Sequence, residues 1–267
     1  KEAGAHVVYG IVGFKTHAKV ILVVRREPHG LRRYVHMGTG NYHSGTARVY
    51  TDFSYLTAHP EVTEDVHNLF LALTSPGRVR ELHQLLHSPF TLQSKVLDLI
   101  QAECDRAEAG EHARVVAKIN NLSDPVLIRA LYRASSLGVK VDLLVRTICC
   151  LRPGVPGVSE NIRVFSAIGR FLEHSRIYYF AGGGEEQVYC ASADWMPRNL
   201  YRRVELAWPL TDPALRDRVR REGLELQLED NCQLWELGAD GRWIRRSPDG
   251  RAVPLSAQQR LLNELSA

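Results

Sequence analysis

Two short strings place an imidazole and a cation where they could act on phosphorus. His17-Ala-Lys19 leads into the apolar run Val20 to Val24, and His174-Ser-Arg176 leads into Ile177 to Phe180. A strand alternates its faces, so the histidine and the cation two residues on share one. Imidazole titrates near neutrality and can serve as nucleophile or proton carrier. The cation can offset the anionic oxygens around a transferring group. Either triplet alone is a weak signal, because such pairs arise by chance and a histidine beside a strand is more often a structural hydrogen-bonder. The repetition is more specific. Each triplet is followed by a second strand-like segment and then a small polar cluster, Gly38-Thr39-Gly40-Asn41 and Ser192-Ala193-Asp194-Trp195. The hydroxyl, amide and backbone groups of the first cluster are expected to hold further phosphate oxygens.

The elements that must carry these residues can be read from periodicity. Residues 6–13, 18–25 and 31–37 read as strands, the last two joined by Pro28-His29-Gly30. Residues 62–73 and 92–109 carry apolar side chains at helical spacing. Residues 114–119 read as a strand, Asp124-Pro125 as the cap and first turn of a helix running to Gly138, and 139–145 as the next strand. This alternation implies a parallel or mixed sheet. A Pro/Gly loop over 152–157 precedes strands near 162–165, 174–180, 188–191 and 204–208. An amphipathic helix over 212–229, a hairpin turning at Asp240-Gly241 and a helix from about Ser256 complete the chain. The fold class expected is α/β, two lobes of mixed sheet flanked by helices with the site at their seam. Residues 1–87 form the first lobe and 88–267 the second, with the boundary near Ser88-Pro89.

Composition narrows the setting. Hydrophobic residues make up 45% and charged residues 24%, ordinary values for a water-soluble globular chain. No run approaches the roughly 18 apolar residues of a membrane span. The five cysteines are odd in number and suggest no disulfide framework, so a reduced cytoplasmic chain is expected. Residues 14–50 hold seven Lys/Arg against one acid, and residues 51–113 hold four against ten. The first block suits a polyanion, although a solvated strand face explains such a charge run as well.

The longer strings around these residues resemble a known family. The paired triplets are similar to those of the phospholipase D superfamily. Lys15-Thr-His-Ala-Lys19, Tyr34-Val-His-Met-Gly-Thr-Gly-Asn-Tyr42, Thr46-Ala-Arg-Val-Tyr-Thr-Asp52, Val145-Arg-Thr-Ile-Cys-Cys-Leu-Arg-Pro-Gly154, Phe171-Leu-Glu-His-Ser-Arg176 and Ser192-Ala-Asp-Trp-Met-Pro-Arg-Asn199 resemble its polyphosphate kinase branch. The resemblance implies reversible transfer of the terminal phosphate of ATP to inorganic polyphosphate, with His17 as the nucleophile that becomes phosphohistidine. It implies that His174 moves a proton and steadies the transferring group, and that Tyr50, Arg146 and His174 contact nucleotide. Lys19 and Arg176 are expected, from spacing, to stabilise charge. His36 and Asn41 are placed near the site in supporting roles.

The resemblance also implies ATP or ADP and polyphosphate as partners, Mg2+ carried by their phosphates, and no nucleic acid. For a full-length protein it implies a homo-oligomer, with peripheral membrane association left open. The superfamily's Asp beyond the cation is replaced by Val24 and Ala181, which argues against lipid or nucleic-acid cleavage, the main rival reading. A binding fragment without catalysis is the other rival. Lys1 opens directly into strand-like sequence, so the chain is expected to be the C-terminal catalytic part of a longer one. That part would lack the basic residues that bind magnesium-bound phosphate, which leaves open whether it turns over alone.

Four further features are set aside. No GxxxxGK[ST] loop occurs. His83 and His87 could be a helical metal pair but read better as surface residues. Gly182-Gly183-Gly184, followed by Glu185 and Glu186, reads as a hairpin turn and not a phosphate loop. Cys149-Cys150 reads as a buried strand end, and Trp195 as core beside the site.

Overall fold

The computed structural model describes residues 2–8, 10–74, 82–250 and 252–266. The chain begins in a turn closed by Phe14 N donating to the Ile11 carbonyl at 3.1 Å. The described residues of 6–13 therefore form no strand, and Gly13, at φ 87°, breaks the extended backbone there. Strand β1 (Lys15–Thr16) follows, then the hairpin β2 (Lys19–Glu27) and β3 (Gly30–Gly38). Next come α1 (Ser44–Ala47), β4 (Tyr50–Thr51), β5 (Ser54–Thr57) and α2 (Pro60–Thr74). The second half contains β6 (Leu86–Ser88), α3 (Leu92–Glu108), β7 (Arg114–Ile119), α4 (Pro125–Ser136), β8 (Lys140–Val145), β9 (Ile162–Ala167) and β10 (Leu172–Glu173). After these lie β11 (Arg176–Phe180), β12 (Gln187–Ala191), α5 (Pro197–Tyr201) and β13 (Arg203–Pro209). The helical run α6 (Pro213–Arg220) and α7 (Leu226–Glu229) is interrupted by a wide turn over Arg221–Glu225. Strands β14 (Leu234–Leu237) and β15 (Trp243–Arg245) and helix α8 (Ala257–Leu265) end it.

A ten-stranded mixed sheet runs in the order β1-β13-β12-β11-β7-β8-β9-β14-β15, with β6 also on β13. Strands β7, β8 and β9 are parallel, as the βαβ pattern of the sequence requires. The sheet is covered on both faces, and its strands alternate between two cores. Val115, Ala117, Ile119, Val141, Leu143 and Val145 pack beneath α3 and α4. Val116, Leu144, Ile177, Tyr179, Val188 and Leu206 face the other way, toward α2 and the antiparallel sheet β2-β3-β5. Period-two alternation thus binds the first part of the chain to the second through one shared core.

The echo in the sequence is real in the topology. His17 precedes the hairpin β2–β3 and His174 precedes the hairpin β11–β12, each followed by its polar cluster. The halves are nevertheless unequal, since the described residues of the first supply the small sheet, β4 and two strands of the large sheet, and the second supplies the rest. Helix α4 begins as expected, with the Asp124 carboxylate accepting from Leu127 N at 3.0 Å and Pro125 in the first turn. Among the described residues no helix is long and apolar enough to cross a membrane. Gly182–Gly184 is the turn between β11 and β12.

Leu127 is fully buried where α4 meets the large sheet. Leu127→Ala should cost about 2–5 kcal/mol, read as a lowered midpoint in urea unfolding with an unchanged slope.

Candidate active site

His17 lies between β1 and β2, on a strand path fixed by its neighbour. Both His17 N and Ala18 N donate to the Val204 carbonyl, at 2.9 and 3.0 Å. One residue on, from the same strand β13, the fully buried Glu205 carboxylate accepts from His17 Nδ1 at 2.8 Å. Glu205 also accepts from the Ser192 hydroxyl at 2.5 Å and from Asn199 Nδ2 at 2.6 Å. A carboxylate can only accept here, so Nδ1 carries a proton and Nε2 is the nitrogen turned away from Glu205. About a quarter of the His17 side chain remains open to solvent.

His174 is held from the opposite direction. Its Nδ1 donates to Asp52 Oδ1 at 2.8 Å, and the Tyr50 ring lies 5.1 Å from its own, centroid to centroid. The two-residue parallel ladder between β10 and β4 sets this contact, with Leu172 N donating to Val49 O and His174 N to Thr51 O. Arg176 Nη1 lies 3.0 Å from His174 Nε2. The same nitrogen lies 3.4 Å from His174 Nδ1 and donates to the His174 carbonyl at 2.9 Å, so the guanidinium rests against the face of the ring and not along its Nε2 lone pair. The surroundings of the ring disfavour its protonation. Burial pushes the His174 pKa below the ordinary imidazole value, and Arg176 and Arg146 push the same way against the pull of Asp52.

The two half-sites share their charges. Lys19 is buried, donates to the His17 carbonyl at 2.5 Å, and feels Glu205 and Asp52 together with Arg176 and Arg203. Burial, aided by the two guanidinium groups, brings its pKa down to about 8. Arg176 donates through Nε to Asp194 at 3.1 Å and through Nη1 to the Thr39 carbonyl at 3.2 Å. Burial alone would raise the Asp194 pKa, but Arg176 and the amides of Asn120 and Asn121 outweigh it and hold it low. Arg146 follows β8, donates to Asn120 Oδ1 at 2.9 Å, and senses both Arg176 and Tyr50. His36 meets the Tyr42 hydroxyl at 2.8 Å and, with Asn41, Gly40, Tyr50 and Asp52, lines a surface hollow of about 520 Å³. Every residue singled out from the sequence therefore falls in or beside one region.

Several details differ from the sequence reading. The Thr39 hydroxyl does not face open space for a phosphate. It donates to Asp52 Oδ1 at 2.7 Å and accepts from Phe53 N at 3.0 Å. Gly40 has a related role, because a Cβ there would come within 2.0 Å of Asp52 Oδ2. The first polar cluster thus seats a carboxylate. His83 and His87 are on no helix. His83 precedes β6, and His87, within β6, is buried beside Thr91, its pKa lowered by that burial. Cys149 is half-buried and Cys150 exposed, not a buried strand end, because the segment meets the sheet only through an isolated bridge from Leu122 to Cys149. Trp195 is core, stacked at a tilt on Tyr178.

Asp52 and Glu205 were not singled out as histidine partners. The available signal was a charged residue inside the apolar strand Val204-Glu-Leu-Ala-Trp208, and an Asp two places after Tyr50. Among the described residues no group of three or more His, Cys, Asp or Glu could hold a metal, and the two carboxylates at the site are taken by imidazoles. The side chains do not fit a protein-held magnesium ion.

Comparison with known proteins gives the arrangement a family. Residues 1–79 match the family model described as polyphosphate kinase C-terminal domain 1, and residues 85–258 that of C-terminal domain 2. A polyphosphate kinase of Pseudomonas aeruginosa is 55% identical over 267 residues, which is 100% of this chain and 39% of that protein. The polyphosphate kinase structure from Porphyromonas gingivalis superposes with a TM-score of 0.92 at 36% identity, covering 99% of this chain and 41% of that one. A phosphatidylserine synthase from Haemophilus influenzae shares the fold alone, with a TM-score of 0.50 at 12% identity over 87% of this chain and 67% of that one. The chain spans about two fifths of the length of the curated relative it matches. On two matching domain models and a superposition that leaves almost none of it out, the chain belongs to the polyphosphate kinase family.

Proposed function

We propose that the two histidines form one centre for reversible transfer of the terminal phosphate of ATP to inorganic polyphosphate. The observation that carries this reading is the pair of imidazoles, each with Nδ1 tied to a carboxylate, with the buried cations Lys19 and Arg176 beside them. His17 Nε2 attacks the terminal phosphorus of ATP. A P–N bond forms, the bridging P–O bond breaks, and ADP leaves with the electron pair. Glu205 offsets the positive charge that the ring gains on becoming phosphohistidine. A terminal oxygen of polyphosphate then attacks the same phosphorus, the P–N bond breaks, and His17 is restored.

His174 enters neutral and as an acceptor, so its first step is to take a proton from the incoming terminal phosphate. In the reverse direction it returns that proton. Lys19 and Arg176 stabilise the transferring oxygens in a buried setting, where fixed charges act most strongly. Tyr50 offers a ring face to the base and Arg146 a planar fork to a phosphate. The hollow holding His36 and Asn41 continues from Tyr50 and suits the rest of the nucleotide. Magnesium, if carried by the phosphates, would offset part of their charge, and Lys19, Arg176 and Arg146 would act on the oxygens that remain.

Incubating the protein with terminally labelled ATP should give an acid-labile, base-stable phosphate that His17→Ala abolishes. Label at the same level in His17→Ala would reject His17 as the nucleophile. His174→Ala should lower turnover by roughly 10²–10⁴-fold in the full-length enzyme. Gly40→Ala should push Asp52 off His174 and lower turnover by about 10²-fold with little change in thermal stability. Lys19 keeps its charge below about 8 and loses it above, so the rate should fall as pH rises through about 8. Lys19→Arg should extend the plateau to higher pH, and an unchanged profile would remove Lys19 from charge stabilisation.

A further inference from the structure

The segment that delivers His174 is anchored by residues far from any phosphate. The β10–β4 ladder is two residues long, yet it helps set Tyr50, Thr51 and Asp52 against His174. Beneath it lies a buried network. Glu173 accepts from Lys118 Nζ at 2.5 Å, from the Thr51 hydroxyl at 2.8 Å and from Gln258 Nε2 at 2.6 Å. Gln258 sits on α8, at the end of the chain. Its Oε1 accepts from Phe171 N at 2.9 Å, and its Nε2 also donates to Phe171 O at 2.9 Å. One side chain therefore ties both polar atoms of the Phe171 backbone and the carboxylate next to His174.

Helix α8 is in turn fixed to the body of the molecule. Asp230 Oδ2 accepts from Ala257 N at 2.8 Å, and the Ser256 hydroxyl donates to Gln233 Oε1 at 2.9 Å. Burial alone would raise the Glu173 pKa, but Lys118, Gln258 and Thr51 outweigh it, so the carboxylate stays charged and all three bonds stay strong. Between α8 and the ladder lies a cavity of about 290 Å³, lined by Tyr50, Asp52, Glu173, Gln258, Leu261 and Leu265 among others.

We infer that Gln258 is a positioning residue, which through Glu173 and Thr51 holds Asp52 and Tyr50 in register with His174 and so couples the last helix to the reaction centre. The role assigned to His174 rests on the function proposed above, whereas the positioning itself does not. His174 faces Asp52 and Tyr50 from the first part of the chain, Arg176 two residues on at the start of β11 and Arg146 after β8.

The test is a proton-carbon NMR titration of the histidine side chains of this chain, with the His174 signal assigned by its loss in His174→Ala. Gln258→Met keeps a side chain of similar length and removes the three bonds. It should shift the His174 midpoint, because both the Asp52 bond that raises it and the burial that lowers it depend on the ladder. Gln259→Met, at an exposed neighbouring site, should leave the midpoint unchanged. Thr51→Val removes the bond to Glu173 together with longer contacts to His174 N at 3.4 Å and Leu172 O at 3.5 Å, and should give a smaller shift, which keeps the test alive if Gln258→Met does not fold. A lowered melting temperature with an unmoved His174 midpoint in both variants would reduce Gln258 to a stability role and overturn the inference. The titration needs no turnover. A shift in a chain that takes no label from ATP would reject the reaction and retain the positioning.

Discussion

Each histidine is completed by a carboxylate from the other half of the molecule. Glu205, on the large sheet, fixes His17 of the first half, and Asp52, at the edge of the small sheet, fixes His174 of the second. A ring needs such a partner to hold one tautomer and orientation. Neither half can therefore supply a finished reaction group alone. The shared core, the pairing of β1 with β13 and the short ladder of β10 with β4 all serve to bring these crossed partners within 2.8 Å.

The same crossing resolves an electrostatic difficulty. Lys19 and Arg176 are both buried, and two buried cations near each other are costly unless compensated. Glu205, Asp52 and Asp194 compensate them without capping them completely, as the depressed pKa of Lys19 records. A fully neutralised pair would not attract phosphate, and an uncompensated one would not stay folded. The carboxylates thus do double duty, orienting imidazoles and sustaining a cationic centre inside the fold.

Much of this was legible in the residue order. The βαβ unit over β7, α4 and β8 follows from an apolar strand, an Asp-Pro cap and a second apolar strand, all local signals. The two His-x-cation triplets were legible as residue types at a repeated spacing, although each histidine lies between strands and not within one. Asp52 and Glu205 were not, since their meaning lies in contacts spanning 122 and 188 residues, and no local pattern encodes a distant partner. Thr39 and Gly40 were misread for a related reason. A Gly-Thr-Gly string looks like a phosphate cradle until the neighbouring carboxylate that fills it is known. His87 was placed on the wrong element because its environment, the edge of β13, comes from residues more than a hundred positions later.

The position of Arg176 has a consequence of its own. Its Nη1 lies within 3.4 Å of both His174 ring nitrogens and donates to the carbonyls of His174 and Thr39. A fixed positive charge against the ring makes a second one there costly. One guanidinium therefore couples the turn that carries Thr39 to the proton affinity of a ring in the other half of the molecule, and any shift of that turn is felt there without a moving lid.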